Sequence, residues 1–307
     1  CNAQDKTIWQ IGESDNSSAE LALAKGEYQK FLEYDFGWED KYFLIGNSEE
    51  HNDFPFVLPG AIDYWGGTSG LAGIRPHEIN ILFGIGSKPK TGDWQLIVDI
   101  LDCNPETPPY VKISVNNSSS KYRLEKGKNA KALEGDITNV KEQIISIPIP
   151  SDLLEIGGNS IQLTTLEGSW LVFDQVRLEG PDNVVLLQPE RAFIRNVAPA
   201  EYEFMKNGSR FQPLLLDVQH LKGTPVLEVQ LDGKIIFKEI IENGRKNYEV
   251  PMNALKTVQK SDYSILLDGK MVEKGQIQRG PQKLNRLVGF VDTKIGTGHS
   301  RWMIAPW

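Results

Sequence analysis

Between Glu78 and Val115 the apolar residues fall on every second position. Ile79, Ile81 and Phe83 alternate with Asn80, Leu82 and Gly84. Trp94, Leu96, Val98 and Ile100 alternate with Gln95, Ile97 and Asp99, and Val111, Ile113 and Val115 with Lys112 and Ser114. A period of two sends successive side chains to opposite faces, which is strand geometry and cannot present one face of a helix. The segments between them, Gly86–Asp93, Cys103–Pro109 and Asn116–Ser120, are turn chemistry. Further strands are read at Ile8–Ile11, Ile144–Ile149, Ser160–Leu163 and Trp170–Leu178. About eight short strands at this spacing fit an antiparallel sandwich. Gly12–Ser18 reads as a tight loop after the first strand. Lys25–Trp38 reads as an irregular connection, Phe54–Gly73 as a long Gly- and Pro-rich loop, and Lys121–Val140 as an extended excursion with one short strand.

Glu179-Gly-Pro-Asp-Asn is a boundary signal, and strands resume at Val184–Leu187. Phe211–Val218, Val226–Leu231, Lys234–Ile240, Asn247–Val250 and Tyr263–Leu267 follow. Asp232-Gly233 and Asp268-Gly269 each sit between apolar runs. Asp-Gly there predicts a two-residue hairpin, because both central residues of a type I′ turn need positive φ. About seven strands in roughly a hundred residues fit an immunoglobulin-like β-sandwich. The expected class is all-β, with units over 8–180 and 181–282, a tether over 1–7 and a linker over 283–307.

With 24% charged and 40% apolar residues, the composition is globular rather than disordered. A net charge of −8 argues against nucleic acid as a partner, which needs a basic face. No run of about 18 apolar residues exists to form a spanning helix. His51, His77, His220 and His299 are scattered without metal-ligand spacing, and Gly84-x-Gly86 opens no helix that would cradle a dinucleotide. Among 41 acidic residues no pair stands in a catalytic motif. Cys1 fits a mature bacterial lipoprotein carrying lipid on that residue, with polar Asn2–Lys6 as a tether; an arbitrary chain boundary is the alternative. Cys103 is then unpaired and acts as a small hydrophobe, while a Cys1–Cys103 disulfide stays open.

Three segments carry a family resemblance. They are Trp9-x-Ile11-Gly12 with Ser18-Ala-Glu20, then Tyr42-Phe-Leu-Ile-Gly-Asn-Ser with Asp53-Phe-Pro-Phe-Val, then Gly158-Asn-Ser-Ile-Gln-Leu with Phe173-Asp-Gln-Val-Arg-Leu-Glu. In this order they resemble the carbohydrate-binding-like domain III of polysaccharide lyase family 4. The resemblance implies a galactose-binding-like jelly-roll sandwich over residues 8–180, and no lyase chemistry, which belongs to another domain. Related jelly rolls hold a structural calcium through a Glu of the first strand and an Asp near the last. Glu20 and Asp174 stand at those places, and their hard oxygen ligands suit Ca²⁺. Phe290-Val-Asp-x-x-Ile-Gly-Thr-Gly resembles the opening of glycoside hydrolase family 92, calcium-dependent inverting exo-α-mannosidases, although Thr293-Lys294 replaces that family's usual Pro-Phe. This implies a following catalytic region whose acid and base lie beyond Trp307.

Sugar recognition needs aromatic faces for stacking and a few polar groups that fix hydroxyls. Trp65, Tyr64 and Trp38 are the candidate faces and Asp63 a polar contact, with His51 and Asn52 as further polar groups. Trp65 is the foremost of these because an ordinary solvent loop does not need it. Trp94 alternates with core residues and is read as packing, as are Trp9 and Trp170. The expected function is a non-catalytic accessory region of a glycoside hydrolase that binds or positions glycan or polysaccharide. Its partner would be a C-terminal catalytic domain of the same polypeptide. It would be anchored by lipid at Cys1 in the bacterial cell envelope, in the periplasm or at the outer surface. The rival readings are a structural spacer that binds no sugar, and a lyase or glycosidase with a site that the sequence does not display.

Overall fold

The computed structural model describes residues 6–24, 26–38, 40–68 and 75–282. Its first unit contains β1 (Lys6–Ile11), β2 (Tyr42–Leu44), β3 (Val57–Leu58), β4 (His77–Ser87), β5 (Trp94–Cys103), β6 (Tyr110–Val115), β7 (Ser118–Arg123), β8 (Gln143–Ile149), β9 (Gly157–Glu167), β10 (Leu171–Gly180) and β11 (Val185–Leu186). One sheet has the order β1-β10-β5-β8, with β3 also on β10. The other runs β11-β4-β9-β6-β7, with β2 also on β4. Every pairing is antiparallel except β2 with β4. The alternating residues named above close the space between the sheets: Phe83, Ile85, Leu96, Ile100, Ile161, Phe173 and Val176 are buried in one core. Trp9, Trp94 and Trp170 lie in that core too, as expected.

Three expectations need correction. The tether does not extend to residue 7, since Lys6 and Thr7 of β1 already pair with Gly180 and Glu179. Asn116–Ser120 is not all turn: Asn116 takes a φ of 48°, and pairing resumes at Ser118. Val184–Leu187 does not open the second unit. Val185 and Leu186 pair with β4, and the Leu187 N–H donates to the Gly84 carbonyl. The pairing needs a bare strand edge, since a Cβ at Gly84 would come within 2.8 Å of the Leu187 side chain. Gly84-x-Gly86 thus seats a strand, and the first sandwich runs past residue 180.

The second unit contains β12 (Ala192–Pro199), β13 (Phe204–Lys206), β14 (Ser209–His220), β15 (Val226–Leu231), β16 (Lys234–Ile240), β17 (Arg245–Asn253), β18 (Gln259–Leu267) and β19 (Lys270–Arg279). Its two sheets are β12-β14-β13 with β17 on β14, and β16-β15-β18-β19. Together the two units make the chain an all-β protein of sandwiched sheets. Both Asp-Gly turns form as expected, with positive φ at Asp232, Gly233, Asp268 and Gly269 and strand pairs closing directly at Leu231–Lys234 and Leu267–Lys270. Asn207-Gly208 makes a third such turn, which the sequence reading missed. The core is mostly aliphatic: Leu214, Leu216, Val218, Leu227, Val229, Val250 and Ile265. The units meet through a small cluster of Leu44 and Leu82 against Phe193, with the Arg195 guanidinium 5.8 Å from the Tyr42 ring centre.

Candidate functional site

The connection from residue 28 to 38 is irregular as expected, with one 3₁₀ turn at Tyr28–Lys30. Phe31 and Phe36 anchor it in the core. Trp65 belongs to this anchor: its ring meets Phe31 edge-on at 5.8 Å and Tyr28 at 5.0 Å, and it is half-buried. Asp63 is an internal fastener. It is 9% exposed, its Oδ2 accepts the Gly60 N–H at 2.7 Å, and its Oδ1 accepts the Ser169 hydroxyl at 2.7 Å. Burial pushes the Asp63 carboxyl up, against those two hydrogen bonds. Both residues therefore hold the 59–68 loop on the sandwich. Residues 69–74 of that loop lie outside the described residues.

Trp38 and Tyr64 are different. They are 58% and 70% exposed, on adjoining segments: a Cβ at Gly37 would lie 3.5 Å from the Gly66 carbonyl. The Arg75 guanidinium sits 6.0 Å from the Trp38 ring centre and donates to the Gly37 carbonyl. Trp38 borders an open cleft of about 650 Å³ lined by Asp35, Asp40, Lys41, Tyr42, Asn47, Ser48 and Asp53. Asp53 is fixed there by Lys41 at 3.4 Å and by the Glu49 N–H at 3.0 Å. An exposed aromatic ring beside amide, hydroxyl and charged groups is the combination that sugar recognition asks for. His51 lies in the neighbouring cleft, with Gln10, Glu20 and Glu50, which shares Ser48 with the first. Asn52 donates to Glu49. Another cleft, of about 340 Å³, lies at the junction of the sandwiches between 186–194 and 267–273; it presents no exposed aromatic ring.

The loop after β1 is pinned by carboxylates. The Gly12 N–H donates to Glu50 Oε1 (3.1 Å), the Glu13 N–H to Glu20 Oε1 (2.7 Å) and the Ser17 N–H to Asp174 Oδ1 (2.9 Å). Glu20 and Asp174 thus hold the same loop. Among the described residues, the carboxylates drawn together are Asp99, Glu142 and Asp174, whose ligand atoms all lie within 4.8 Å of one another. The sequence reading treated Asp99 only as one member of a strand's alternation. Its neighbours come from positions far along the chain: Asp174 was read there only as a partner of Glu20, and no local signal marks Glu142. Cys103 is buried and free, with its Sγ 3.2 Å from the Glu125 carbonyl; burial pushes the thiol up to about 11, which makes it inert packing.

A family model described as CBM-like, polysaccharide lyase family 4 domain III, matches residues 7–178, more than half of the chain. The chain belongs to this family. Domain III here comprises the first sandwich and carries both the Trp38 cleft and the acidic cluster. No curated protein matches the chain. Among solved structures, a family GH115 4-O-methyl-α-glucuronidase with specificity for decorated arabinogalactans is 14% identical, with a TM-score of 0.30, over 57% of this chain and 18% of that one. A GH2 β-galacturonidase from Eisenbergiella tayi is 8% identical, with a TM-score of 0.24, over 67% and 38%. A β-D-mannosidase from Dictyoglomus thermophilum is 10% identical, with a TM-score of 0.24, over 66% and 29%. The chain spans less than two fifths of each of these, and at such TM-scores they carry no functional argument.

Proposed function

We propose that this chain is a non-catalytic accessory region that binds glycan through domain III, with Trp38 as the stacking face. The observation that carries the reading is an exposed Trp38 beside a polar cleft in a carbohydrate-binding-like domain. Tyr64 extends the face, while Trp65 and Asp63 act behind it by holding the loop. The Asp99–Glu142–Asp174 group does not suit glycoside cleavage. Asp99 and Asp174 are each 1% exposed, so no glycosidic bond can lie between them.

The parent protein in this reading is a glycoside hydrolase. The resemblance of Phe290–Gly298 to the family 92 opening supports a catalytic region after it; that segment lies outside the described residues. The test is a glycan array followed by calorimetry against α-mannosides and pectic fragments, with Trp38→Ala beside the unaltered chain. The expected result is binding that weakens about tenfold or more, since about 1.4 kcal/mol of lost stacking is one decade of affinity. A folded sample that binds no glycan overturns the proposal and leaves the spacer reading. Trp65→Ala is a poor probe, because it removes the packing under the loop.

A further inference from the structure

Two buried carboxylates in domain III differ in one respect. Asp102 has both oxygens satisfied: its Oδ1 accepts the N–H groups of Cys103 and Lys128 at 2.9 and 3.0 Å, and its Oδ2 that of Asn129 at 2.8 Å. Three residues earlier on the same strand, Asp99 leaves Oδ1 buried with no hydrogen-bond partner. Across the sheet, Asp174 leaves Oδ2 in the same condition, although its Oδ1 accepts the Ser17 N–H. Each of these two residues is 1% exposed. A buried polar group without a partner is destabilising, and more so if charged.

The sheet puts these two orphans beside each other. Phe173 pairs with Ile100 and Gln175 with Asp99, so Asp174 is an extra residue between them. Such a bulge re-aims a side chain. Glu142 stands one residue before β8, the strand on the other side of β5, where Gln143 pairs with Ile100. The carboxylate of Glu142 is solvent-exposed and closes the group to within 4.8 Å. Six to eight oxygens at about 2.3–2.6 Å from one calcium ion lie no more than about 5 Å from one another. The three carboxylates meet that condition without rearrangement.

We propose that Asp99, Glu142 and Asp174 bind a divalent cation, calcium by the chemistry of the donors. Three hard anionic oxygens suit it, and Glu142 leaves an open side for waters to complete the shell. The electrostatics agree. Asp99 is pushed up to about 7, first by burial and then by Glu142 and Asp174, with Arg177 opposing. Arg177 is itself engaged, donating to Glu179 and Gln175. Asp174 is pushed up by burial and by Asp15 and Glu20 of the loop after β1. A bound dication removes this repulsion and ties β5, β8 and the β10 bulge together. The site differs from a Glu20–Asp174 pair in its donors, with Asp99 and Glu142 beside Asp174 in place of Glu20.

The test uses the full chain stripped with chelator, then titrated with Ca²⁺ by calorimetry and thermal unfolding. Binding near one equivalent with a rise in Tm is expected. Asp99→Asn and Glu142→Gln should each weaken binding at least tenfold, while Glu20→Gln leaves it unchanged. Glu142→Gln is at an exposed position and keeps the fold even if the buried variant does not. Absence of any Ca²⁺ heat or Tm shift overturns the proposal and leaves a carboxylate group that shares protons. Binding that follows Glu20 and ignores Asp99 and Glu142 overturns it in favour of the loop site.

Discussion

The two sandwiches use the same architecture in different ways. The second is built of regular strands and minimal turns. A Cβ added at Gly208, Gly233 or Gly269 would find nothing within 4 Å, so these glycines serve backbone conformation alone. Its core is mostly aliphatic. In the first sandwich the loops are folded back onto the sheets. Phe31, Phe54, Phe56, Phe83 and Phe173 are almost fully enclosed, and Asp63, Asp102 and Asp174 are buried carboxylates that accept hydrogen bonds from loops, with Asp99 buried beside Asp174. Regular hairpins leave little room for a site, whereas long connections fastened by buried polar groups can hold an exposed ring such as Trp38 in place.

The contrast breaks first at the glycines. Gly12 and Gly233 have nearly the same left-handed φ, 79° and 76°. A Cβ at Gly12 would collide with the Asp174 carbonyl and lie 3.2 Å from Glu20 Oε1. Gly12→Ala should therefore cost about 2–4 kcal/mol, adding overpacking to backbone strain, read by chemical denaturation. An effect as small as that of a surface turn would mean that the loop after β1 is loose, and the contrast would lose its basis.

The junction offers a pH test. Glu273 of β19 is 9% exposed, accepts the Tyr263 hydroxyl at 2.9 Å and stands against Gly157 of the first sandwich. Burial, with Glu155 adding repulsion, pushes its carboxyl up to about 7. The folded state thus holds a proton that the unfolded chain releases near the ordinary 4.5. Stability is greatest below that value, falls as pH rises towards 7 and then levels. The loss is on the order of 3 kcal/mol at most. Glu273→Gln should flatten this part of the profile relative to the unaltered chain, which also carries the Asp99 contribution in the same window. Parallel profiles for the two proteins would show that Glu273 is not held neutral.

The smallest effect is expected at Gly233→Ala, about 1 kcal/mol, because only the positive φ opposes the methyl group. A loss equal to that of Gly12→Ala would show that the second sandwich, too, depends on close packing at its turns.

Strand positions were legible wherever one face of a strand is buried, because a period of two survives in the residues themselves: Ile79 to Phe83 and Trp94 to Ile100 appear where expected. The Asp-Gly turns were legible because the conformation they need is local. Ala192–Pro199 was missed, and Val185–Leu186 was placed in the wrong sandwich. For a two-residue strand the partner is decided by a distant edge, here the glycines of β4. Trp65 was read as an exposed face and Trp38 ranked behind it, since a sequence shows that a loop has aromatic rings but not which ring finds Phe31 and Tyr28 to pack on.

The sequence by itself therefore determined the class, the alternation that fills both cores, the turns with their own chemistry, and membership in a carbohydrate-binding-like family. The tertiary structure alone decided which aromatic ring faces solvent and which carboxylates meet. Asp99, Asp174 and Glu142, the residue just before β8, come together only because β5 is threaded between β10 and β8, and a one-residue slip in the ladder turns Asp174 towards the others. Contacts of that kind depend on strand order and register, which are set by the packing of the whole sandwich rather than by any stretch of chain.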